Sequence, residues 1–476
     1  MRPPAARPEQ VDVLVAGGGL AGLRTAAALR EAGLAGTVLL VGAEEGDPYD
    51  RTTLSTHLFT QEAPPLLSAG GLGDLDALGV PHRRAAVRSV RDLAGDDAAG
   101  DYTTGEDAAG STPGTTPRPA VRTTTGPGAP AGARAEVTLD DGTVVRARVV
   151  VAATGARAVA APWPGARTLR SAADATGLRA ALAPGARLVV VGAGWIGAEV
   201  AGAAAAAGVR VTVVETADEP LGRAPRVLGR HVRGWFESAG VELLTGTGVS
   251  TVALTREAAG PADPAAASDA GPAEGPDAGP ADPGERVVTL TDGREVRADV
   301  VLAALGAVPE TDWLAGAAPL APTGHVRVDA LGRALDGPTW LWAVGDAAAT
   351  VRPDGRTEPG AHWEGALHHP TALAAGVLGL DAPPPPASYV FSEMFGHDVA
   401  VLGDPTGPPT VERSDDAGIT WLWTDDAGRL VGAATADHPR DVPPLRRALA
   451  GGGRPNLDAA VAADPSRRLR DAIARR

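Results

Sequence analysis

The chain has 476 residues, with 43 basic against 58 acidic side chains, a net charge of −15 and no cysteine. That length exceeds one ordinary hydrophobic core, so roughly two to four domains are expected, and the negative balance argues against general nucleic-acid or anionic-membrane binding. Without cysteine there is no disulfide scaffold, thiolate metal site, catalytic thiol or thiol-linked cofactor, and because lysine is absent too, every basic residue is arginine.

Met1 to Gln10 is proline-rich with scattered arginines and no apolar core, so it does not read as a signal peptide. From Val11 a β-branched and apolar run enters a turn with glycines at 17, 19 and 22, and a helical pattern follows, opening at Leu20 and Ala21 and running to Arg30. Strand, glycine turn and helix in that order form a dinucleotide cradle. Gly17 permits the tight turn, Gly19 lets a pyrophosphate approach backbone N–H groups at the helix N-terminus, and Gly22 lets helix pack on strand. Glu44, after the predicted strand Thr37 to Val41, stands where a carboxylate accepts hydrogen bonds from an adenosine ribose.

A turn at residues 47–52 leads into a short helical pattern ending at Thr56. Residues 94–134 hold Gly, Ala, Thr, Pro and Asp with little to bury, which predicts a solvated, poorly ordered loop; residues 256–285 read the same way. A second fingerprint begins at Val189, with glycines at 192, 194 and 197 around Trp195 and Ile196, and a helix continues through Glu199. The next predicted strand, Val209 to Val214, ends at Glu215, where an acid reads a ribose 2′-hydroxyl. A 2′-phosphate ~4 Å from that carboxylate would be repelled by about 4 kcal/mol per unit charge at an effective dielectric of ~20, which favours NADH over NADPH. Arg223, a little further on, could soften that preference.

The stretch 137–151 aligns without a gap on 288–302. Each copy reads as an alternating strand, an Asp-Gly hairpin turn, a second strand and an apolar strand ending in glycine, Gly155 or Gly306. This predicts a duplicated dinucleotide domain whose low-complexity inserts lengthen equivalent hairpins at little cost in stability. Beyond it, the apolar run from Trp340 ends in Gly345-Asp346, and a helix is predicted from Trp363 to Leu378. After Pro383 to Pro386, short strands and two arginine-bearing helical segments indicate a small α+β domain. Arginines 467, 468, 470, 475 and 476 read as a solvated terminal helix. His362, His368 and His369 look like a metal cluster, but no carboxylate at helical ligand spacing is seen to complete them, so no metal is expected.

Taken together, these landmarks resemble the FAD-dependent, NADH-linked ferredoxin reductases of the rubredoxin and putidaredoxin reductase type. The resemblance rests on Pro48-Tyr49-Asp50-Arg51 with Leu54-Ser55, Ala153-Thr154-Gly155 with Arg157, Leu169-Arg170 before Asp174-Ala175, and Gly-Trp-Ile-Gly-Ala-Glu at 194–199. Pro220-Leu221, Leu305-Gly306 before Pro309 and Trp313-Leu314, Gly345-Asp346, His362-Trp363, and Ser392 before Phe395-Gly396 complete the series. It implies an α/β fold of two Rossmann-like domains, the NAD domain inserted in the FAD domain, plus a small C-terminal α+β domain. The expected bounds are 1–160 and 306–386 for the FAD domain, 161–305 for the NAD domain and 387–476 for the C-terminal domain.

The resemblance further implies that Glu44, Arg51, Arg157 and Asp346 hold FAD, with Asp346 on the ribityl chain and Trp363 opening a helix whose dipole favours the anionic reduced ring. Glu199 would sit where nicotinamide stacks on flavin, and Glu199 and Trp363 are the expected catalytic pair. Thr56, Val87, Thr154, Gly155, Gly306, Gly345 and His362 complete the cofactor-binding set, beside the two glycine turns and Glu215. The implied partner is a [2Fe-2S] or similar ferredoxin feeding an oxygenase or cytochrome P450. A monomer or homodimer is expected, and with no signal-like or spanning-length apolar segment the chain reads as cytoplasmic. Two departures stand out. The family usually carries two prolines and a lysine where Thr52, Thr53 and Thr56 stand, and that lysine pairs with the carboxylate matched by Glu199. Phe391, Glu393 and Met394 stand where the family commonly has Trp, Asp and Gln, which leaves the docking surface open to a different partner. The competing reading is an NADH-binding flavoprotein with a conformational or partner-binding role, like apoptosis-inducing factor; a quinone- or oxygen-reducing NADH oxidase is a third.

Overall fold

The structure is a computed structural model that describes residues 8–93, 132–255, 284–352, 355–360 and 362–474. Nearly all of both expected loops, residues 94–131 and 256–283, together with Arg475 and Arg476, therefore lies outside the described residues.

In chain order the first elements are β1 (Glu9–Ala16), α1 (Leu20–Glu31), β2 (Val38–Gly42), α2 (Thr53–Thr56), β3 (His82–Arg84), β4 (Val87–Asp92), β5 (Ala135–Leu139), β6 (Val144–Ala152) and β7 (Ala156–Ala158). Then come α3 (Ala172–Ala181), β8 (Arg187–Val191), α4 (Trp195–Ala206), β9 (Arg210–Val214), α5 (Arg226–Ser238), β10 (Glu242–Leu244), β11 (Val249–Leu254), β12 (Arg286–Leu290), β13 (Glu295–Ala298), β14 (Val300–Ala303) and β15 (Ala307–Pro309). The chain continues with β16 (Val326–Val328), β17 (Leu341–Ala343), β18 (Ala348–Val351), β19 (Thr357–Pro359) and α6 (Trp363–Leu378). It closes with β20 (Tyr389–Met394), β21 (His397–Gly403), β22 (Val411–Asp415), β23 (Gly418–Thr424), β24 (Leu430–Ala436), α7 (Val442–Leu449) and α8 (Ala459–Ala463). No helix among the described residues is long and apolar enough to cross a membrane.

Contacts divide the chain into two units, one of Met1–Asp50, Pro65–Arg157 and Val308–Pro386, the other of Arg51–Pro64, Ala158–Ala307 and Ala387–Arg476. In the first unit, β3, β2, β1 and β6 run parallel, β17 lies parallel beside β6, and β5 and β4 extend the sheet in antiparallel fashion. A strand buried on both faces must be apolar at every position, not only at alternate ones. β1 obeys this rule: Leu14 and Ala16 join one core cluster with Trp313 and Trp340, while Val13 and Val15 join another under α1 and α6. Glycine lets α6 lie close on the sheet, since a Cβ on Gly376 would stand 2.9 Å from the ring of Trp342 in β17.

The second unit repeats the parallel sheet as β10, β9, β8 and β14. The duplication reaches into detail. Ala16 pairs with Ala152 in the first copy, and Val191 with Ala303 in the second. β4 pairs with β5, and β11 with β12, as antiparallel partners whose registers both slip at the start, between Val87 and Ser89 in one and between Val249 and Thr251 in the other. The long segments 94–131 and 256–283 join these equivalent pairs. Where the first copy runs on as one strand, β6, the second breaks at Asp299 into β13 and β14, and β11, β12 and β13 form a separate three-stranded sheet.

The C-terminal part is an antiparallel sheet in the order β20, β21, β24, β23, β22, with α7 and α8 against it. The expected terminal helix is corrected here: residues 464–474 hold a single 3-10 turn, Leu469–Asp471. Their backbone groups are engaged elsewhere, as Leu457 bridges Ile473, Asp458 N–H donates to Ala472 O, and the buried Arg413 donates to Arg467 O. A helix would have to break all three.

Candidate functional site

The glycine turns show why no other residue serves. At Gly17, where φ is +121°, an added Cβ would lie 2.0 Å from Ala153 O, and at Gly192, where φ is +105°, 2.5 Å from Ala304 O. Cβ atoms on Gly22 and Gly197 would fall 1.8 and 2.0 Å from the carbonyls of Gly17 and Gly192, so both helices start tight against their strands. Gly19 and Gly194, the N-cap residues of α1 and α4, have open space on their Cβ side and make no side-chain cap. The first-turn N–H groups of a helix have no acceptor within it, so Leu20, Ala21, Trp195 and Ile196 open helices suited to a pyrophosphate.

In the first unit several of the expected residues converge on this turn. Thr154 and Gly155 follow the carbonyl that closes over Gly17, and Thr154 Oγ1 donates to Glu310 O at 2.5 Å. A Cβ on Gly345 would lie 2.9 Å from Ala21 Cβ, which sets Asp346 against the first turn of α1. Gly360 packs on Gly345 in turn, its added Cβ 2.3 Å from Gly345 O, and it leads to His362, the N-cap of α6 at φ +116°, and Trp363. A non-glycine residue at positive φ costs energy that the surrounding structure must supply, which is common at ligand sites. Glu44 follows β2, exposed, and accepts from Tyr49 Oη at 2.5 Å. Val87 opens β4. Arg157 is paired with Glu310 and Asp312 at 3.6 and 3.4 Å.

Sequence reasoning missed His82. Its Nε2 is buried without a hydrogen-bond partner among the described residues, and Cβ atoms on Gly18 and Gly42 would come within 3.2 and 3.0 Å of it. Burial pushes its pKa down, so a neutral imidazole faces the turn. A lone histidine on a short edge strand carries no sequence signal. An orphaned polar atom beside a glycine cradle fits a bound dinucleotide.

In the second unit, Glu215 directly follows β9 and its carboxylate accepts from Ala193 N at 2.7 Å and Ala217 N at 2.8 Å, tying the strand end to the glycine turn. Ile196 and Leu305 are 40% and 39% exposed beside that turn, an apolar rim that a nucleotide would cover. Gly306 follows Leu305 at positive φ. Arg51 donates to Arg170 O at 3.0 Å.

Glu199 lies on α4, and the structure brings it two serine hydroxyls: Ser55 of α2 donates to Oε2 and Ser392 of β20 to Oε1, each at 2.5 Å. Burial, with Glu393 adding to it and the two hydroxyls opposing, pushes its pKa up to about 7. Thr56 turns away, its Oγ1 donating to Thr52 O at 3.1 Å and meeting His57 Nδ1 at 2.9 Å. Both serines belong to motifs quoted above, but only the fold shows that they meet at one carboxyl.

The histidine reading also needs correction, because Glu364 does stand four residues before His368 and pairs with its Nε2 at 3.0 Å. Among the described residues, however, no group of three or more His, Asp and Glu is placed to hold a metal.

Residues 11–372 match the family model described as pyridine nucleotide-disulphide oxidoreductase. The chain belongs to this family. Among its members, the chain is 31% identical to the ferredoxin reductase component of chlorobenzene dioxygenase from Cupriavidus sp. (strain PS12), over 97% of each chain. It is 31% identical to the ferredoxin–NAD(+) reductase component of the anthranilate 1,2-dioxygenase system of Burkholderia cepacia, over 95% of this chain and 97% of that one. The crystal structure of Fdr9 aligns with a TM-score of 0.72 at 28% identity, covering 97% of this chain and 99% of that one. The family implies FAD and NAD(H), and the two glycine cradles and the orphaned His82 fit them. The disulphide of the family's name is missing here, since the chain has no cysteine.

Proposed function

We propose that the chain is a flavoprotein reductase that passes electrons from NADH through FAD to a [2Fe-2S] or similar ferredoxin, serving an oxygenase or cytochrome P450. The observation that carries this reading is the same dinucleotide cradle built twice in a chain without cysteine. Electrons cannot be stored in a protein disulfide, so they must leave to an external acceptor.

Gly17, Gly19, Leu20, Ala21 and Gly22 would receive the FAD pyrophosphate, Glu44 the adenosine ribose and Asp346 the ribityl chain, with Val87, Thr154, Gly155, Gly345 and His362 lining the site. Arg51, Arg157 and Thr56 belong to the same reading. Bound FAD supplies the conversion of a two-electron donor into one-electron steps. Gly192, Gly194, Trp195, Ile196 and Gly197 would seat the NADH pyrophosphate, with Gly306 at its edge. Glu215 at the end of β9 favours the ribose hydroxyl over a phosphate. Glu199 and Trp363 are the residues assigned to the chemistry, the first for the nicotinamide and the second as the start of the helix whose dipole would favour negative charge on the reduced ring. We take the cytoplasm as the compartment and a monomer or homodimer as the working form.

The purified protein is expected to be yellow, to bleach with NADH faster than with NADPH in anaerobic stopped flow, and to reduce cytochrome c only when a ferredoxin is added. Indifference to every ferredoxin tried would count against the reading. Gly194→Ala is expected to weaken NADH binding by about tenfold or more without lowering the melting temperature, since its Cβ meets open space in the protein.

A further inference from the structure

Glu199 has an unusual partner set. Among the described residues its carboxyl is held by the hydroxyls of Ser55 and Ser392 and by no cation. The elements packed against α4 contribute little charge there. α2 carries no ionisable side chain and is followed by His57; β20 brings Glu393, a like charge, and Tyr389; β8 and β9 bring Arg187 and Arg210 at their starts, Arg187 being paired with Glu285 and Asp299.

The hydrogen bonds can accommodate either charge state. When Glu199 is ionised, both serines donate to it. When it is protonated at Oε2, its hydrogen can go to Ser55 Oγ, and Ser55 has a second acceptor in Thr52 O at 3.5 Å. No buried polar atom is stranded in either state, so the hydrogen bonds admit both, and it is burial that tips the balance toward the neutral acid. Ser392 owes its position to a close approach. A Cβ on Gly202, nearly one turn beyond Glu199, would lie 2.7 Å from Phe395 N, so glycine there lets the β20–β21 turn settle on α4.

We propose that Ser55 and Ser392 are positioning residues that form a two-hydroxyl clamp around Glu199, and that through this clamp the oxidised nicotinamide binds with release of a proton. This deepens the function proposed above and rests on it for the placement of nicotinamide. The step is a simple proton balance: the neutral acid gives up its proton to water, and the resulting carboxylate faces the cationic pyridinium of NAD+. NADH, whose ring is neutral, has no such preference. The elevated pKa of Glu199 places this exchange in the neutral range.

The test uses flavin-loaded protein labelled with 13C at the glutamate carboxyl, with Glu199→Gln identifying the resonance. Its titration midpoint is expected near neutrality, higher in Ser55→Ala and Ser392→Ala because each loses a hydroxyl that favours the ionised form, and restored by Ser392→Thr. A midpoint in the ordinary carboxylate range, or one that neither serine variant moves while flavin content and circular dichroism stay unchanged, overturns the clamp. NAD+ binding is then measured by calorimetry in buffers of different ionisation enthalpy. Proton release below neutrality, with affinity rising about tenfold from slightly acid to slightly alkaline pH, is expected in the wild type and absent in Glu199→Gln. A near-neutral midpoint without proton release overturns the link to nicotinamide while leaving the hydroxyl contacts standing, so failure of the clamp and failure of the functional reading are told apart.

Discussion

The two dinucleotide halves have almost the same skeleton and opposite charges on it. Asp12 of β1 pairs with Arg148 of β6 at 3.3 Å, and at the matching places of the second copy Arg187 of β8 pairs with Asp299 at 2.5 Å. The fifth residue of the helix differs in the same sense. In α1 it is Arg24, which donates to Leu72 O and pairs with Glu31 at 3.3 Å; in α4 it is Glu199, enclosed by hydroxyls. The skeleton thus depends on steric positions, the glycines and the buried strand residues, while the charged positions were free to be exchanged or put to new use. Asp299, bonded to Arg187 through both its backbone and its side chain, marks the point where the second copy splits its strand in two.

The comparison can be broken most forcefully at the glycines. Gly17→Ala is expected to cost about 3–5 kcal/mol, because its Cβ meets a backbone carbonyl at a positive φ, and to yield colourless or aggregated protein. Gly192→Ala carries the same kind of strain in the second unit, so it should be destabilised as well, but the protein that retains flavin should no longer be reduced by NADH. Absorbance spectra of the two variants, alone and with NADH, check this; a yellow Gly17→Ala protein would end the equivalence of the two turns.

A smaller effect separates Arg24 from Glu199. A carboxyl whose folded pKa is raised above its ordinary value holds its proton more tightly in the native state. Native stability is therefore greatest at or below the unfolded pKa of about 4.5 and falls as pH rises toward about 7, levelling beyond it. The loss is on the order of 3 kcal/mol, and urea midpoints of wild type should show it while Glu199→Gln does not. Gly202→Ala, which forces the β20–β21 turn off α4, is expected to cost about 1–3 kcal/mol, read as a lowered melting temperature. The smallest effect tests the reversed ion pairs. These are partly exposed, so Asp299→Arg should cost about 1 kcal/mol, and the double exchange Asp12→Arg with Arg148→Asp should keep the ion pair yet still cost about 1 kcal/mol by thermal denaturation, because Asp12 also accepts from the N–H and hydroxyl of Thr37.

Much of this architecture was legible in the chain itself. Both glycine turns, the Val137 and Val288 repeats, and the helix from Trp363 to Leu378 stand where local rules put them, because tight turns, alternation and strands buried on both faces leave signatures over a few neighbouring residues. The terminal segment from Asp464 failed that rule: its arginines suggested a solvated helix, but hydrogen bonds to Asn456, Asp458 and Arg413, far away in sequence, hold it otherwise.

The primary structure by itself determined the duplicated nucleotide cradle and the need for an external electron acceptor, since glycine spacing and the absence of cysteine are properties of the linear chain. Only the tertiary structure decided what surrounds Glu199 and His82. Ser55 and Ser392 reach one carboxyl from positions 144 and 193 residues away in the chain, and no local pattern encodes a meeting at that distance. Burial, which sets the charge of both groups, arises only once those segments have packed together.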